Sequence, residues 1–222
     1  LEGAEKSLTI QNIVVEGNSF LNTEDIIQAS ELSIGQTVTD YTVSFAENKI
    51  ERLGIFNKIT VLFIEENQTI RINLEENTIV TEVIVEGNTI YTQSFIDEFF
   101  VSKPNEPVNL KHIRTDLQFI ENNYEQDGYF EAKVFNIIRP EIENGPLIFK
   151  IAEGIIDDIE ITGNVKTQAY VILREIDIRP GDILNKNDLQ KNLRKVFNLN
   201  YFDNITPDII PGNTPNHYTL KL

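Results

Sequence analysis

The chain has 222 residues, 41% of them hydrophobic and 24% charged, with a formal net charge of −16 and no cysteine. This is globular composition, long enough for two or three small domains. The acidic balance argues against a nucleic-acid backbone or an anionic membrane surface as partner, and the lack of Cys removes disulfide and thiolate chemistry.

The opening stretch, LEGAEKSLTI, has no basic region followed by an apolar run, so no signal peptide is expected within it. No apolar run in the chain reaches the length of a membrane-spanning helix. An apolar strand closing in Gly-Asn is then written three times: VVEGNS at 14–19, VIVEGNT at 83–89 and IEITGNV at 159–165. The glycines are Gly17, Gly87 and Gly163, and before each of them β-branched residues alternate (Ile13 and Val15, Val83 and Val85, Ile159 and Ile161). Period two with such residues predicts a half-buried strand. Gly-Asn then predicts a turn, both residues tolerating positive φ.

A short helix follows each turn. Asn22 or Thr23, and Thr92, are its expected N-caps, and Ile26, Ile96 and Ile172 lie on its buried face. A breaker comes next: Gly35, KPNEP at 103–107, and RPGD at 179–182. Behind it runs a longer amphipathic helix, marked by Val43, Ala46, Ile50 and Leu53 in the first unit. Leu110, Ile113, Leu117, Ile120 and Tyr124 mark it in the second, and Leu189, Leu193, Val196 and Leu199 in the third. About one extra turn separates Val108 from Phe130 compared with the other units, so the second unit should hold the longest such helix. Each helix ends on Gly54, Gly128 or Asn200, residue types that enter the left-handed region at low cost. Two strands joined by a short polar turn close each unit as a hairpin.

The resulting unit is β-α-α-β-β, an α+β arrangement with a three-stranded mixed sheet packed on two helices. Its expected boundaries are 1–77, 78–153 and 154–222. The links EENT (75–78) and EGII (153–156) lack the composition of a flexible tether.

This ordered set resembles tandem POTRA domains: VEGN, the helix pair, the Gly-[Tyr/Ile]-Phe signal, and the closing hairpin with IAEG at 151–154. DGYFEAKV at 127–134 is the most specific segment, and Thr162 and Asn200 make the third unit depart most. The resemblance implies the periplasmic array of a BamA-like outer-membrane protein assembly factor, preceding a C-terminal membrane β-barrel. It implies unfolded outer-membrane proteins, accessory lipoproteins, or both, as partners. TamA-like factors, two-partner secretion transporters and FtsQ-like scaffolds are the alternative homes of such repeats.

No catalytic site, cofactor, metal site, small-molecule substrate or nucleic acid is expected. His112 and His217 lie in different units and are read as structural or surface residues, and Glu65-Glu66, Glu75-Glu76 and Asp157-Asp158 as solvated turns. The family resemblance makes strand two of each unit an outer strand, placed here at Lys58–Ile64, Glu131–Ile138 and Asp203–Ile209. An unpaired edge can accept an extended partner by β-augmentation. The expected contact residues are Lys58, Ile59, Thr60 and Val61; Ala132, Lys133, Val134 and Phe135; and Asn204 and Ile205. Pro207 removes one donor from the third edge.

Overall fold

A computed structural model describes residues 8–222; residues 1–7, which the expected boundaries place in the first unit, lie outside the described residues. The first repeat contains β1 (Asn12–Glu16), α1 (Thr23–Ser30), α2 (Asp40–Glu51), β2 (Phe56–Ile64) and β3 (Thr69–Glu76). The second contains β4 (Val80–Glu86), α3 (Gln93–Phe99), α4 (Leu110–Gln126), β5 (Lys133–Ile138) and β6 (Gly145–Ala152). The third contains β7 (Ile155–Glu160), α5 (Ala169–Leu173), α6 (Lys186–Phe197), β8 (Asp208–Pro211) and β9 (His217–Lys221). The three sheets have the orders β1-β3-β2, β4-β6-β5 and β7-β9-β8, so strand two stands at an edge every time.

The local signals explain these elements. Asn22 caps α1 by accepting from the Asp25 amide at 2.8 Å, and the Thr92 hydroxyl accepts from the Phe95 amide at the start of α3. Thr39 and Thr42 form a reciprocal capping box on α2. Helix α4, with 17 residues against 12 in both α2 and α6, is the longest of the three.

In the first repeat β1 runs parallel to β3, and β2 antiparallel to it. Ile72 is therefore opposite Val15 on one side and Val61 on the other. Ile70, Ile72 and Leu74 alternate onto the face covered by Ile26 of α1 and by Ala46 and Ile50 of α2. Fully burying one such isoleucine contributes about 1.5–3 kcal/mol. The third repeat repeats the pattern with β7 parallel and β8 antiparallel to β9. Its core forms one cluster around Leu184, Leu189 and Leu220 and a second around Ile172, Ile176 and Val196.

A latch that the sequence pattern does not announce recurs three times. Gln36 O accepts from the Ile10 amide, and Ile10 O from the Gly35 amide. The same exchange joins Val80 to Glu106 and Asn105, and Ile156 to Asp182 and Gly181. It ties a residue at or near the start of strand one to the breaker between the helices, and all three of these apolar residues are buried.

By compactness the Cα trace falls into two units. One holds residues 8–84 with Phe100–Asp116 and Ile138–Leu147; the other holds Val85–Phe99, Leu117–Ile137 and Ile148–Leu222. The division runs through the second repeat. Among the described residues no helix is long and apolar enough to cross a membrane.

Several expectations are corrected. The third strand two is Asp208–Pro211, not Asp203–Ile209, so Asn204 and Ile205 precede it. Pro207 has no amide to offer a ladder. Asn204 meanwhile bonds locally, accepting from the Ile205 amide and donating to Thr206 Oγ1, which competes with strand pairing. Ile205 packs instead against the Ile172–Val196 cluster. Ala132 lies outside β5: its amide donates to Tyr129 O in the turn that follows α4. Leu110, expected on the buried face of α4, is 49% exposed because it is the first residue of that helix. Asp157 and Asp158 lie within β7, not in a turn.

Candidate protein-binding edges

The three outer strands differ in what they offer. β2 is the longest, with nine residues, and carries Lys58, Ile59, Thr60 and Val61 as expected. Its edge is partly occupied: the Val61 amide donates to Glu47 Oε1 of α2 at 2.9 Å. An amide engaged this way is not open to an added strand. Sequence reasoning missed Glu47, since the contact spans 14 residues and two elements.

β5 has six residues, including Lys133, Val134 and Phe135, and is exposed along most of its length. Phe135 is 56% and Ile138 41% exposed. Among the described residues no side chain occupies a β5 amide. β8 has four residues and ends in Pro211, so it presents the shortest edge.

The Gly-Asn turns form by a means other than the one expected. Only the glycines take positive φ, at +88° for Gly17, +84° for Gly87 and +78° for Gly163. The asparagine acts through its side chain. Asn18, Asn88 and Asn164 donate from Nδ2 to the carbonyls of Leu21, Tyr91 and Thr167, at 2.9, 2.7 and 2.8 Å. The glycines also admit a close crossing: a Cβ would lie 2.0 Å from Leu74 O at Gly17 and 2.2 Å from Ile151 O at Gly87. Gly163 has no such neighbour within 4 Å.

A carboxylate clamps two of these turns. Glu76 accepts from the amides of Ser19 and Phe20 and from the Ser19 hydroxyl. Glu153 accepts in the same way from Thr89 and Ile90, and additionally from the buried Tyr124 hydroxyl at 2.6 Å. The solvated-turn reading of Glu75-Glu76 thus fails: both lie within β3, and Glu76 is engaged by a turn. Burial raises the Glu76 carboxyl, but the bonds from the Ser19 hydroxyl and the Phe20, Ser19 and Leu21 amides outweigh it and leave it below its usual range. Burial and then the Glu153 carboxylate push the Tyr124 phenol far above its usual range. Burial and the Asp127 carboxylate do the same to Tyr91. His217 Nδ1 meets Asp157 Oδ1 at 2.6 Å, while His112 Nδ1 is buried without a hydrogen-bond partner.

Three mixed sheets of order one-three-two, each carrying its helix pair, define a class of protein built from repeated β-α-α-β-β modules. The chain belongs to the POTRA family. The family described as "Surface antigen variable number repeat" matches residues 78–154 and 155–222, and "POTRA domain, FtsQ-type" matches residues 8–77. Among curated proteins it is similar to the outer membrane protein assembly factor BamA of Neisseria meningitidis serogroup B, 25% identical over 245 residues. That match covers 98% of this chain and 31% of the relative, and the chain spans less than a third of the length of the curated relatives it matches. Among solved structures it is similar to the N-terminal domain of Omp85 from Thermosynechococcus elongatus. The TM-score there is 0.83 at 24% identity, with 98% of this chain and 97% of the other covered. POTRA domains 1–3 of the periplasmic domain of Omp85 from Anabaena follow, with a TM-score of 0.67, 20% identity, and coverage of 96% and 93%. This chain is a set of tandem POTRA repeats, and it is BamA-like.

Proposed function

We propose that the chain is the periplasmic POTRA array of an outer-membrane β-barrel assembly protein, with repeats at 1–77, 78–153 and 154–222. In this reading it holds unfolded client polypeptides, accessory lipoproteins or both by β-augmentation, and a membrane β-barrel belongs to the same full-length protein. The open edge of β5, with exposed Phe135 and Ile138 beside it, carries this reading. Backbone bonds along an edge provide affinity with little demand on sequence, which suits a factor that handles many clients. β2 is a conditional edge, closed at Val61 by Glu47. β8 contributes least, and Asn204 and Ile205 are withdrawn as contact residues. Holding a client in this way calls for no enzymatic step.

Titration of the 15N-labelled chain with a peptide copied from a β-barrel strand tests the reading. The expected result is that Lys133–Ile138 amides shift most and that Val134→Pro, which removes a donor, weakens binding severalfold. Amides unmoved on all three outer strands would reject augmentation. The FtsQ-type match over residues 8–77 favours a second reading, a scaffold that joins other proteins. A barrel encoded after residue 222 in the full gene decides against it.

A further inference from the structure

The repeated helix ends contain a second pattern. In the compact unit that holds the first repeat, Asn109 caps α4, its Oδ1 accepting from the Lys111 and His112 amides at 2.9 and 3.3 Å. The same side chain reaches back and donates from Nδ2 to Leu53 O at 3.1 Å, while the Leu110 amide donates to Gly54 O at 3.1 Å. In the other unit Asn185 caps α6 through the Asn187 and Asp188 amides at 2.8 and 3.3 Å. It donates to Asp127 O at 2.9 Å, and the Lys186 amide donates to Gly128 O at 2.8 Å. Each time one asparagine satisfies its own helix and grips the end of the preceding repeat's long helix.

The glycine makes this approach possible. A Cβ on Gly54 would stand 2.5 Å from Asn109 Oδ1, and one on Gly128 2.9 Å from Asn187 Nδ2 and 3.0 Å from Asn185 Oδ1. Positive φ alone does not demand glycine here, since Asn200 holds φ +56° at the matching position of the third repeat. What Asn200 carries, and the two glycines lack, is the Cβ. At the other end, the residue that matches Asn109 and Asn185 is Thr39. Its hydroxyl is engaged in the capping box with Thr42, and it has no side-chain amide to send outward.

We propose that Gly-X-Phe ends paired with Asn caps form a docking code between repeats. The surface made by a helix-terminal glycine, its own carbonyl and that of the residue before it takes one kind of partner, the asparagine-capped helix of another repeat. The code is complete at Gly54–Asn109 and at Gly128–Asn185, and incomplete at Thr39 and Asn200. A neighbouring repeat at Thr39 or at Asn200 is not held through this joint, so whatever adjoins there is held by other contacts.

Amide hydrogen exchange of the whole chain, resolved by NMR, tests the code by moving the end residues inward. In Asn185→Thr, threonine still caps α6, so the Asp188 amide stays slow, while the Lys186 amide exchanges about tenfold faster, the scale of one lost hydrogen bond. In Gly128→Asn, the Tyr129 amide inside the second repeat stays slow because asparagine tolerates the left-handed region, and Lys186 again exchanges faster. Should Tyr129 also accelerate, the helix end itself has opened, and Asn185→Thr alone decides. Slow exchange at Lys186 in Asn185→Thr overturns the proposal, as does slow exchange there in a Gly128→Asn chain whose Tyr129 is still protected.

Discussion

A glycine in the left-handed region can be required by its φ or by its neighbours, and Gly87 and Gly163 separate the two. Both have positive φ, but only Gly87 lies under a strand carbonyl, where a Cβ would sit 2.2 Å from Ile151 O. Gly87→Ala is expected to cost at least about 2 kcal/mol more than Gly163→Ala, because added backbone displacement joins the strain of roughly 1–3 kcal/mol common to both. Denaturant midpoints of the two variants check this. The Glu76 carboxylate and three tyrosines make stability depend on pH at both extremes. Glu76 is lowered in the folded chain, so its contribution is present above the unfolded carboxyl range and lost as pH falls through the folded value. Glu76→Gln should therefore lose stability at neutral pH, with the difference closing in acid. Tyr124 and Tyr91 are raised, and Tyr218, by burial and then Glu131, up to about 12. Their contribution is whole below about pH 10 and lost as pH rises above it. Urea unfolding from pH 8 to 11.5 should show that fall, and Tyr124→Phe should flatten it.

Among the elements, the outer strands differ more than their shared position suggests. Glu47 holds the Val61 amide of β2. Glu47→Ala should free that amide, so that in a peptide titration β2 shifts join those of β5; unchanged β2 shifts would mean the edge is closed by something else. In the middle of the same sheet Ile72 is fully buried between Val15 and Val61. Ile72→Ala should cost about 2–5 kcal/mol in thermal or chemical unfolding through lost transfer energy and the cavity left behind. Strand and helix identities were legible because their signals are local: alternation at Ile13 and Val15 and at Val83 and Val85, caps at Asn22 and Thr92, and the longer spacing that announced α4. β8 was misplaced for an equally local reason. Asn204 and Pro207 withdraw hydrogen-bonding capacity from a run that reads as β-branched, and the apolar side chain of Ile205 goes to the helix layer instead.

At the scale of the whole molecule, a charge of −16 on 222 residues is self-repelling. Raising NaCl from about 20 to 200 mM shortens the screening length to below about 10 Å, so the melting temperature should rise over that range. A melting temperature insensitive to salt would show that the acidic groups are already compensated locally. The repeat count, the α+β class and the likeness to POTRA arrays were all contained in the order of residues, because a motif that recurs with the same caps and breakers needs no long-range information. The tertiary structure decided which outer strand is open, why Gly87 is glycine and why Asn18, Asn88 and Asn164 follow their glycines. It also decided that Asn109 and Asn185 face two repeats at once. Each of these depends on atoms brought within hydrogen-bond reach by folding, and a carboxylate, a carbonyl or a cap reads the same in a sequence whether or not another element lies over it.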